Sequence, residues 1–298
     1  MRRDSLDDFQ TFIAVAEAGS FTKAAAELGV SQSAVSYSLR MLEQRLGVRL
    51  ISRTTRSLSL TDAGERLLRS IAPAFDLINN EIDALASSQG RPAGKIRITV
   101  SRQAARTVIW PMLPDFIARY PDIEVELSLD EGLTDIVAGR FDAGVRLGER
   151  LEKDMIGVRI SPELRMALVG SPTYFSNRPK PETPRDLSVH LGANYRQRTG
   201  GGLYAWEFEK DGEKLEVRME GPVTLNDGEM LEMAALDGLA LAFMIEDQSI
   251  LSHLAEGRLV RVLEDWCQPF PGYHLYYPSR RQPTAAFSLF VDALRYHP

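Results

Sequence analysis

The side chains with the most chemical meaning by type and spacing lie in the run GSFTKAAAELGVSQSAVSYSLRMLEQRLGVRLISRTTRSLSLTDAG, residues 19–64. Val35, Leu39, Leu42 and Leu46 recur there at spacings of four, three and four, a helical period. Ser31, Gln32 and Ser33 open that helix, where exposed backbone N–H groups and the positive end of the helix dipole favour phosphate. A glutamine in such a place can pair bidentately with adenine in a major groove, and serine can bond to base edges or phosphates. Ser36, Tyr37 and Arg40 follow at one-turn spacing on the more accessible faces and can continue the same surface. Arg53 and Arg56 are expected near the tip of a hairpin, placed to enter a minor groove or neutralise phosphates. The chemistry these residues suit is reading of double-stranded DNA.

Catalytic chemistry finds no comparable arrangement. His190, His253, His274 and His297 are scattered, and none stands at metal-ligand or triad-like spacing. Cys267, between Trp266 and Gln268-Pro269, has no nucleophile signature and reads as a small buried hydrophobe. There is no phosphate-cradling GxxxxGK and no GxSxG, and Gly200–Gly202 reads as a loop. No catalytic residue, metal ligand or cofactor is therefore expected. An enzyme is the main rival from another class, and a solute-binding transport protein the second.

The elements that must position the DNA-reading residues are legible around them. Leu6, Phe9, Phe12, Ile13 and Ala16 repeat at helical spacing. Ser20 is placed to cap a second helix that Gly29 ends, and Ser31 a third that stops at Gly47. Ala24 and Ala25 supply small residues where two helices cross. RLISRTTRSLSL suits a two-stranded wing, so residues 1–60 read as an all-α winged helix-turn-helix domain. Residues 61–88 read as one long helix with Leu67, Ile71, Ala74, Ile78, Ile82 and Leu85 close to a heptad seam, which asks for a partner helix from a second copy of the chain. Pro73 is discordant there, because it removes a helical hydrogen bond. Residues 89–94 are a hinge.

Beyond the hinge, strands alternate with helices: Ile96–Val100, helix Val108–Tyr120, Ile123–Leu129, short helix Leu133–Ala138, Ala143–Leu147, then strands near Arg165–Val169 and Leu239–Met244. Such alternation implies parallel sheets covered by helices. The α/β part is large for one sheet, so two lobes joined by crossover strands are expected: lobe I near 95–161 and 266–298, lobe II near 162–265.

The net charge of −6 over 298 residues, taken as a sum, opposes nucleic acid. Its distribution matters more, since phosphate contacts act within a Debye length of about 10 Å. Residues 31–60 hold Arg40, Arg45, Arg49, Arg53 and Arg56 against Glu43 alone. Arg45 and Arg49 read equally as solvated or as salt-bridged. The N-terminus lacks an apolar core for a signal peptide, no stretch suits a membrane span, and one cysteine cannot form an internal disulfide. A reducing cytoplasm is the expected compartment.

The runs Ser20–Leu28, Ser31–Ser36, Leu42–Leu50, Arg53–Arg56 and Leu60–Gly64 resemble the DNA-binding domain of LysR-type transcriptional regulators, in register over the whole stretch. Two residues depart from that pattern. Ser33 stands where proline is common, which puts target preference in question, and Ile51 stands where phenylalanine is common. The C-terminal part is similar to the same family's regulatory domain, in the runs IRITVS, LPDFIARYPDIEVEL, FDAGVRLG and GLALAFM. The runs Trp206–Phe208, Thr224–Asp227 and 257–266 resemble the branch similar to CrgA. The resemblance implies a two-lobed effector domain like periplasmic binding proteins. It also implies a homodimer through the linker helix extending to a homotetramer, promoter DNA and RNA polymerase as partners, and a small-molecule effector. Activation and repression stay equally open.

In α/β sheets ligands sit outside the carboxyl ends of strands. Ser101, Arg102 and Thr107 follow the first strand, Arg146 ends the strand of DAGVRLG, and Arg196, Gln197, Arg198, Asn226 and Met244 mark the second lobe. Ser101, Arg102, Thr107, Arg146, Arg196, Asn226 and Met244 are the expected effector residues, lining a cleft for a polar or anionic metabolite. The competing roles are a helix cap for Ser101, a structural ion pair for Arg146 and core for Met244.

Overall fold

The computed structural model describes residues 4–53, 58–87, 92–132, 135–137, 139–148, 155–279 and 283–297. It divides into two compact units, Met1–Gly90 and Arg91–Pro298, each taken by itself below.

In the first unit, α1 (Asp4–Ala18), α2 (Phe21–Leu28) and α3 (Gln32–Leu46) close around Phe12, Val15, Ala24, Ala25, Val35, Leu39 and Leu42. The punctuation follows from local chemistry. Ser20 accepts the Lys23 N–H and Ser31 the Ala34 N–H, satisfying donors that a helix start leaves open. Gly29 then ends α2 at φ +66°, a conformation costly for any side chain with a Cβ. Leu28 packs half-buried against this core, whereas Leu46, the last member of the apolar stripe of α3, is 40 % exposed. The last turn of α3 lies outside that core, so the apolar stripe outruns its packing partner.

The wing is a hairpin of β1 (Ile51–Arg53) and β2 (Leu58–Leu60), registered Ile51 to Leu60. Glu43 of α3 holds its base, accepting the N–H groups of Leu50 at 2.8 Å and Ile51 at 3.1 Å. Ile51 is buried, as expected of a core substitute for phenylalanine. Helix α4 (Asp62–Ser87) starts where Thr61 Oγ1 accepts the Gly64 N–H and donates to the Arg49 carbonyl. Gly64 has no room for a side chain, since a Cβ would meet the Leu50 carbonyl oxygen at 2.1 Å.

Helix α4 runs through Pro73, which faces solvent. Its seam divides. Leu67 and Ile71 pack against the core of their own unit, whereas Ala74 and Ile78 are exposed. The side chains of Ile82 and Leu85, and part of the hinge at 89–94, lie outside the described residues.

The second unit holds a five-stranded sheet in the order β4 (Ile123–Leu129), β3 (Gly94–Val100), β5 (Ala143–Leu147), β14 (Tyr273–Pro278), β6 (Met155–Arg159). Strands β4, β3 and β5 are parallel, but β14 runs antiparallel to β5 and β6. The expectation of purely parallel sheets is corrected here. Strand β6 carries the chain out of lobe I and β14 brings it back, so the two neighbours must oppose each other, and the pairing continues as an antiparallel bridge between Leu164 and Phe270. Ile98, Val100, Val145 and Leu275 are fully buried with Phe287 and Phe290 of the C-terminal helix Ala285–Leu294. Each such side chain contributes about 1.5–3 kcal/mol by leaving water.

Between β3 and β4 the chain forms one helix over residues 102–119, labelled α5, with a π-turn at Ala105–Ile109. It starts six residues before the expected Val108. A further short helix expected over Leu133–Ala138 does not form among its described residues, which are turns; residues 133, 134 and 138 lie outside those described.

Lobe II is built on β7 (Met166–Gly170) flanked antiparallel by β12 (Ala242–Ile245) and β13 (Val260–Val262). A hairpin of β9 (Trp206–Lys210) and β10 (Glu213–Val217) adds Trp206 and Phe208 to a core shared with Tyr174, Phe243 and Trp266. Helices α6 (Gly228–Leu236) and α7 (Gln248–Ala255) pack on the other side, capped by Asp227 and Asp247. Cys267 is buried in this core, and burial pushes its thiol pKa up to about 11.

Candidate nucleic-acid interface and ligand cleft

Helix α3 separates two faces by its period. Val35, Leu39 and Leu42 point into the core, while Gln32, Ser33, Tyr37 and Arg40 are exposed and Ser36 is half-buried. Tyr37 is 63 % exposed. The phenol of a residue so open on a helix has no packing role to explain it and offers a flat apolar face with a polar tip. Ser31 caps the helix, and its hydroxyl also lies 2.9 Å from the Ser33 hydroxyl. Serine at 33 therefore closes a small hydrogen-bonded loop at the helix start, which proline has no donor to make.

Two arginines of the basic run separate by geometry. Arg45 pairs with Asp8 at 2.9 Å, and Asp8 also accepts the Ser38 hydroxyl at 2.5 Å. This ties α3 to α1, so Arg45 is a structural ion pair and not a DNA-facing cation. Arg40 stays exposed. Arg53 ends β1, and Arg56 lies outside the described residues. What the unit presents is a capped helix end and one polar helix face above a rigid wing base.

In the second unit a cleft of about 940 Å³ opens between the lobes. Four expected residues line it: Ser101, Arg102, Arg146 and Met244. Ser101 caps α5 by accepting the Ala104 N–H. Arg102 donates its backbone N–H to Glu131 Oε1 at 2.8 Å, and its side chain pairs with Asp227 at 3.4 Å.

Arg146 is 7 % exposed, and its donors are turned to the protein's own oxygens. Nε and Nη2 donate to the Gly132 carbonyl at 3.1 and 2.6 Å. Nη1 donates to the carbonyls of Val145 at 2.7 Å and Thr99 at 3.3 Å, and Nη2 also to Thr99 Oγ1 at 3.2 Å. A guanidinium has five N–H donors, and these five bonds use them all. It is not an ion pair: its partners are one hydroxyl and carbonyls that fasten the 130–132 loop to β3.

The other expected residues are not brought to this cleft. Thr107 donates its hydroxyl to the Gln103 carbonyl one turn earlier in α5, at 2.8 Å. Arg196 donates to the Gly201 carbonyl at 2.9 Å. Asn226 borders a separate hollow of about 200 Å³ with Arg102 and Arg198. The neighbours Gln197 and Arg198 do line the main cleft. Which residues of the 196–199 segment face the cleft depends on the turn that follows Gln197, and that turn was not readable from the sequence.

Contacts that span the cleft bring in further residues, of which Gln103, Arg106, Glu131, Glu229 and Asp247 were missed by sequence reasoning. Gln103 of α5 donates to the Ile245 carbonyl at 3.3 Å and accepts the Tyr273 hydroxyl at 3.1 Å. Arg106 pairs with Asp247 at 2.6 Å and Glu229 at 3.6 Å, and Arg198 reaches Asp130 at 3.2 Å. With Arg102–Asp227, these are ion pairs from one lobe to the other. The helical period from Arg102, four residues earlier, would have found Arg106, and the strand-end rule would have found Glu131. Asp247 is also held in place by capping α7. Among the described residues, no group of histidine, cysteine and carboxylate side chains is arranged to hold a metal, and no helix is long and apolar enough to cross a membrane.

Comparison with known proteins adds the following. Residues 6–65 match the model of the bacterial regulatory helix-turn-helix protein, lysR family, and residues 89–298 match the LysR substrate binding domain. A putative transcriptional regulator of Pseudomonas aeruginosa is 51 % identical, covering 99 % of this chain and 96 % of that protein. The HTH-type transcriptional regulator PgrR of Escherichia coli is 45 % identical over 99 % of both chains. The structure of CrgA, a LysR-type transcriptional regulator from Neisseria meningitidis, is similar with a TM-score of 0.59 at 25 % identity, covering 97 % of each chain.

Proposed function

The chain belongs to the LysR family of bacterial transcriptional regulators, and from that premise we propose that Gln32, Ser33, Ser36, Tyr37 and Arg40, with Arg53 and Arg56 of the wing, make its DNA contacts. As a regulator it is not an enzyme: it couples a helix-turn-helix domain to a domain that binds small-molecule effectors. The observation that carries the DNA assignment is the polar, exposed face of α3, open at its capped end where a helix enters a major groove. Ser31 acts as the cap that presents these residues. Footprinting on genomic fragments, including the region upstream of the protein's own gene, tests it. Protection of a two-fold symmetric site is expected, and failure to protect any promoter fragment overturns it.

The effector binds in the interlobe cleft, with Ser101, Arg102 and Met244 among its lining. A ligand there favours one spacing of the lobes over another, and the difference in affinity between the two arrangements supplies the switching energy. The chain acts in the cytoplasm as a homodimer through α4, whose exposed Ala74 and Ile78 support the pairing. Two dimers form a tetramer on the promoter, and RNA polymerase is the machinery it recruits or blocks. Cross-linking through Ile78→Cys tests the dimer: disulfide-linked pairs are expected, and exclusively monomeric protein would refute it.

A further inference from the structure

The charges in the cleft define what its ligand cannot be. A metabolite anion needs donors that the protein has not already spent. The five Arg146 N–H groups are all given to the protein's own oxygens. The Arg102 N–H at the start of α5, the natural seat of an anion, is taken by the Glu131 carboxylate. The Arg102, Arg106 and Arg198 guanidiniums face Asp227, Asp247 and Asp130 across the cleft, and Lys214 pairs with Glu209 at 3.2 Å. Each cationic group on the lining thus has at least one partner in the protein, and carboxylates outnumber cations there by seven to five among the described residues. An entering anion would have to share a guanidinium with a carboxylate and sit in a field of the wrong sign.

A donor meets the opposite situation. Glu131 accepts the Arg102 N–H through Oε1, and among the described residues nothing donates to Oε2. It is half-buried and lines the cleft. Tyr195, Phe243, Met244 and Ile245 give the same cleft an apolar wall. We propose that the effector is a protonated amine with an apolar body, its ammonium bound by Glu131, and that Glu131 is the residue that selects amines over carboxylates. The proposal rests on the reading of the cleft as the effector site. It narrows the polar or anionic class expected of the cleft to a cationic one. The ammonium donates to Oε2 while Oε1 stays on the helix, so binding adds a charge-assisted bond without undoing the loop.

The test uses the full chain with two probes of similar shape and opposite charge, phenethylamine and hydrocinnamate, followed by calorimetry and thermal unfolding. Phenethylamine is expected to bind and raise the melting temperature, and hydrocinnamate to do neither. Glu131→Gln keeps an oxygen for the Arg102 N–H, so the fold survives, yet phenethylamine affinity should fall about tenfold. Met244→Trp, which fills the cleft, should abolish phenethylamine binding. Cleft binding of hydrocinnamate in preference to phenethylamine, or no response to phenethylamine, overturns the amine class while leaving the cleft reading intact. Undiminished phenethylamine affinity in Glu131→Gln removes Glu131 as the selecting residue. Undiminished affinity in Met244→Trp places the ligand elsewhere, overturning the proposal and the cleft reading together.

Discussion

Replacing Arg146 by methionine separates a ligand residue from a structural one. The substitution deletes five hydrogen bonds in a site where the side chain is 7 % exposed. At about 1 kcal/mol net per bond the loss approaches 5 kcal/mol, since the carbonyls of Gly132, Thr99 and Val145 lose their partner in a dry place. Removing a buried guanidinium also recovers part of its desolvation cost, and methionine fills most of the volume, leaving a net destabilisation of about 3 kcal/mol. For a unit the size of Arg91–Pro298, that corresponds to a fall in melting temperature of about 6–12 °C. Differential scanning calorimetry of the full chain would resolve the second unit's transition, and urea unfolding supplies the free energy. Arg146→Lys should recover only part of the loss, because three donors on one nitrogen cannot span the fork between Thr99 and Gly132. Unchanged stability in Arg146→Met, combined with lost response to an effector, would refute the reasoning. Arg146 would then be a ligand residue whose hydrogen bonds in the free protein matter little.

Gln32→Ala should weaken specific DNA binding by about 1–3 kcal/mol with little effect on nonspecific binding, as gel shifts at fixed salt would show. Stability of the first unit should not change, in contrast to Ser31→Ala, which loses a cap and about 1 kcal/mol. Burial, and next the Arg178 charge, holds the His190 imidazole below its ordinary pKa of 6.5. The unfolded chain therefore binds the proton first, so stability is full above pH about 6.5 and declines as pH falls through that value. His190→Gln should flatten that decline in urea titrations near pH 7 and near pH 5; an unchanged slope would show that His190 is not its source. Cys267 should resist thiol reagents at neutral pH until the protein unfolds, because its thiol is buried and its pKa is pushed up to about 11. Rapid labelling of the native chain would contradict the burial.

The DNA-binding unit was almost wholly legible beforehand, because what defines it is local. Ser20 and Ser31 cap helices with donors three residues away, Gly29 and Gly47 end them by adopting positive φ, and the stripe of Val35, Leu39 and Leu42 follows from the turn of one helix. Even there, tertiary packing decided three points: Arg45 belongs to Asp8, Leu46 outruns the core, and Leu67 and Ile71 of the supposed dimer seam serve their own unit. Gly64 illustrates the boundary. Its place in the run Leu60–Gly64 was visible in the sequence, but its reason, a backbone contact with Leu50, is not.

The cleft was legible only as a location. The strand-end rule found Ser101, Arg102 and Arg146, yet the roles of these residues depend on groups far away in the chain. Arg146 is defined by Thr99 and Gly132, Arg102 by Glu131 and Asp227, Gln103 by Tyr273. A charge in the sequence carries only its sign. Whether it is free to meet a ligand depends on which carboxylates and carbonyls the fold places within a few ångströms, because a hydrogen bond or ion pair decays over that distance. The sequence alone determined a winged helix-turn-helix followed by an α/β sensor. The tertiary structure decided which carboxylates and carbonyls meet the sensor's arginines.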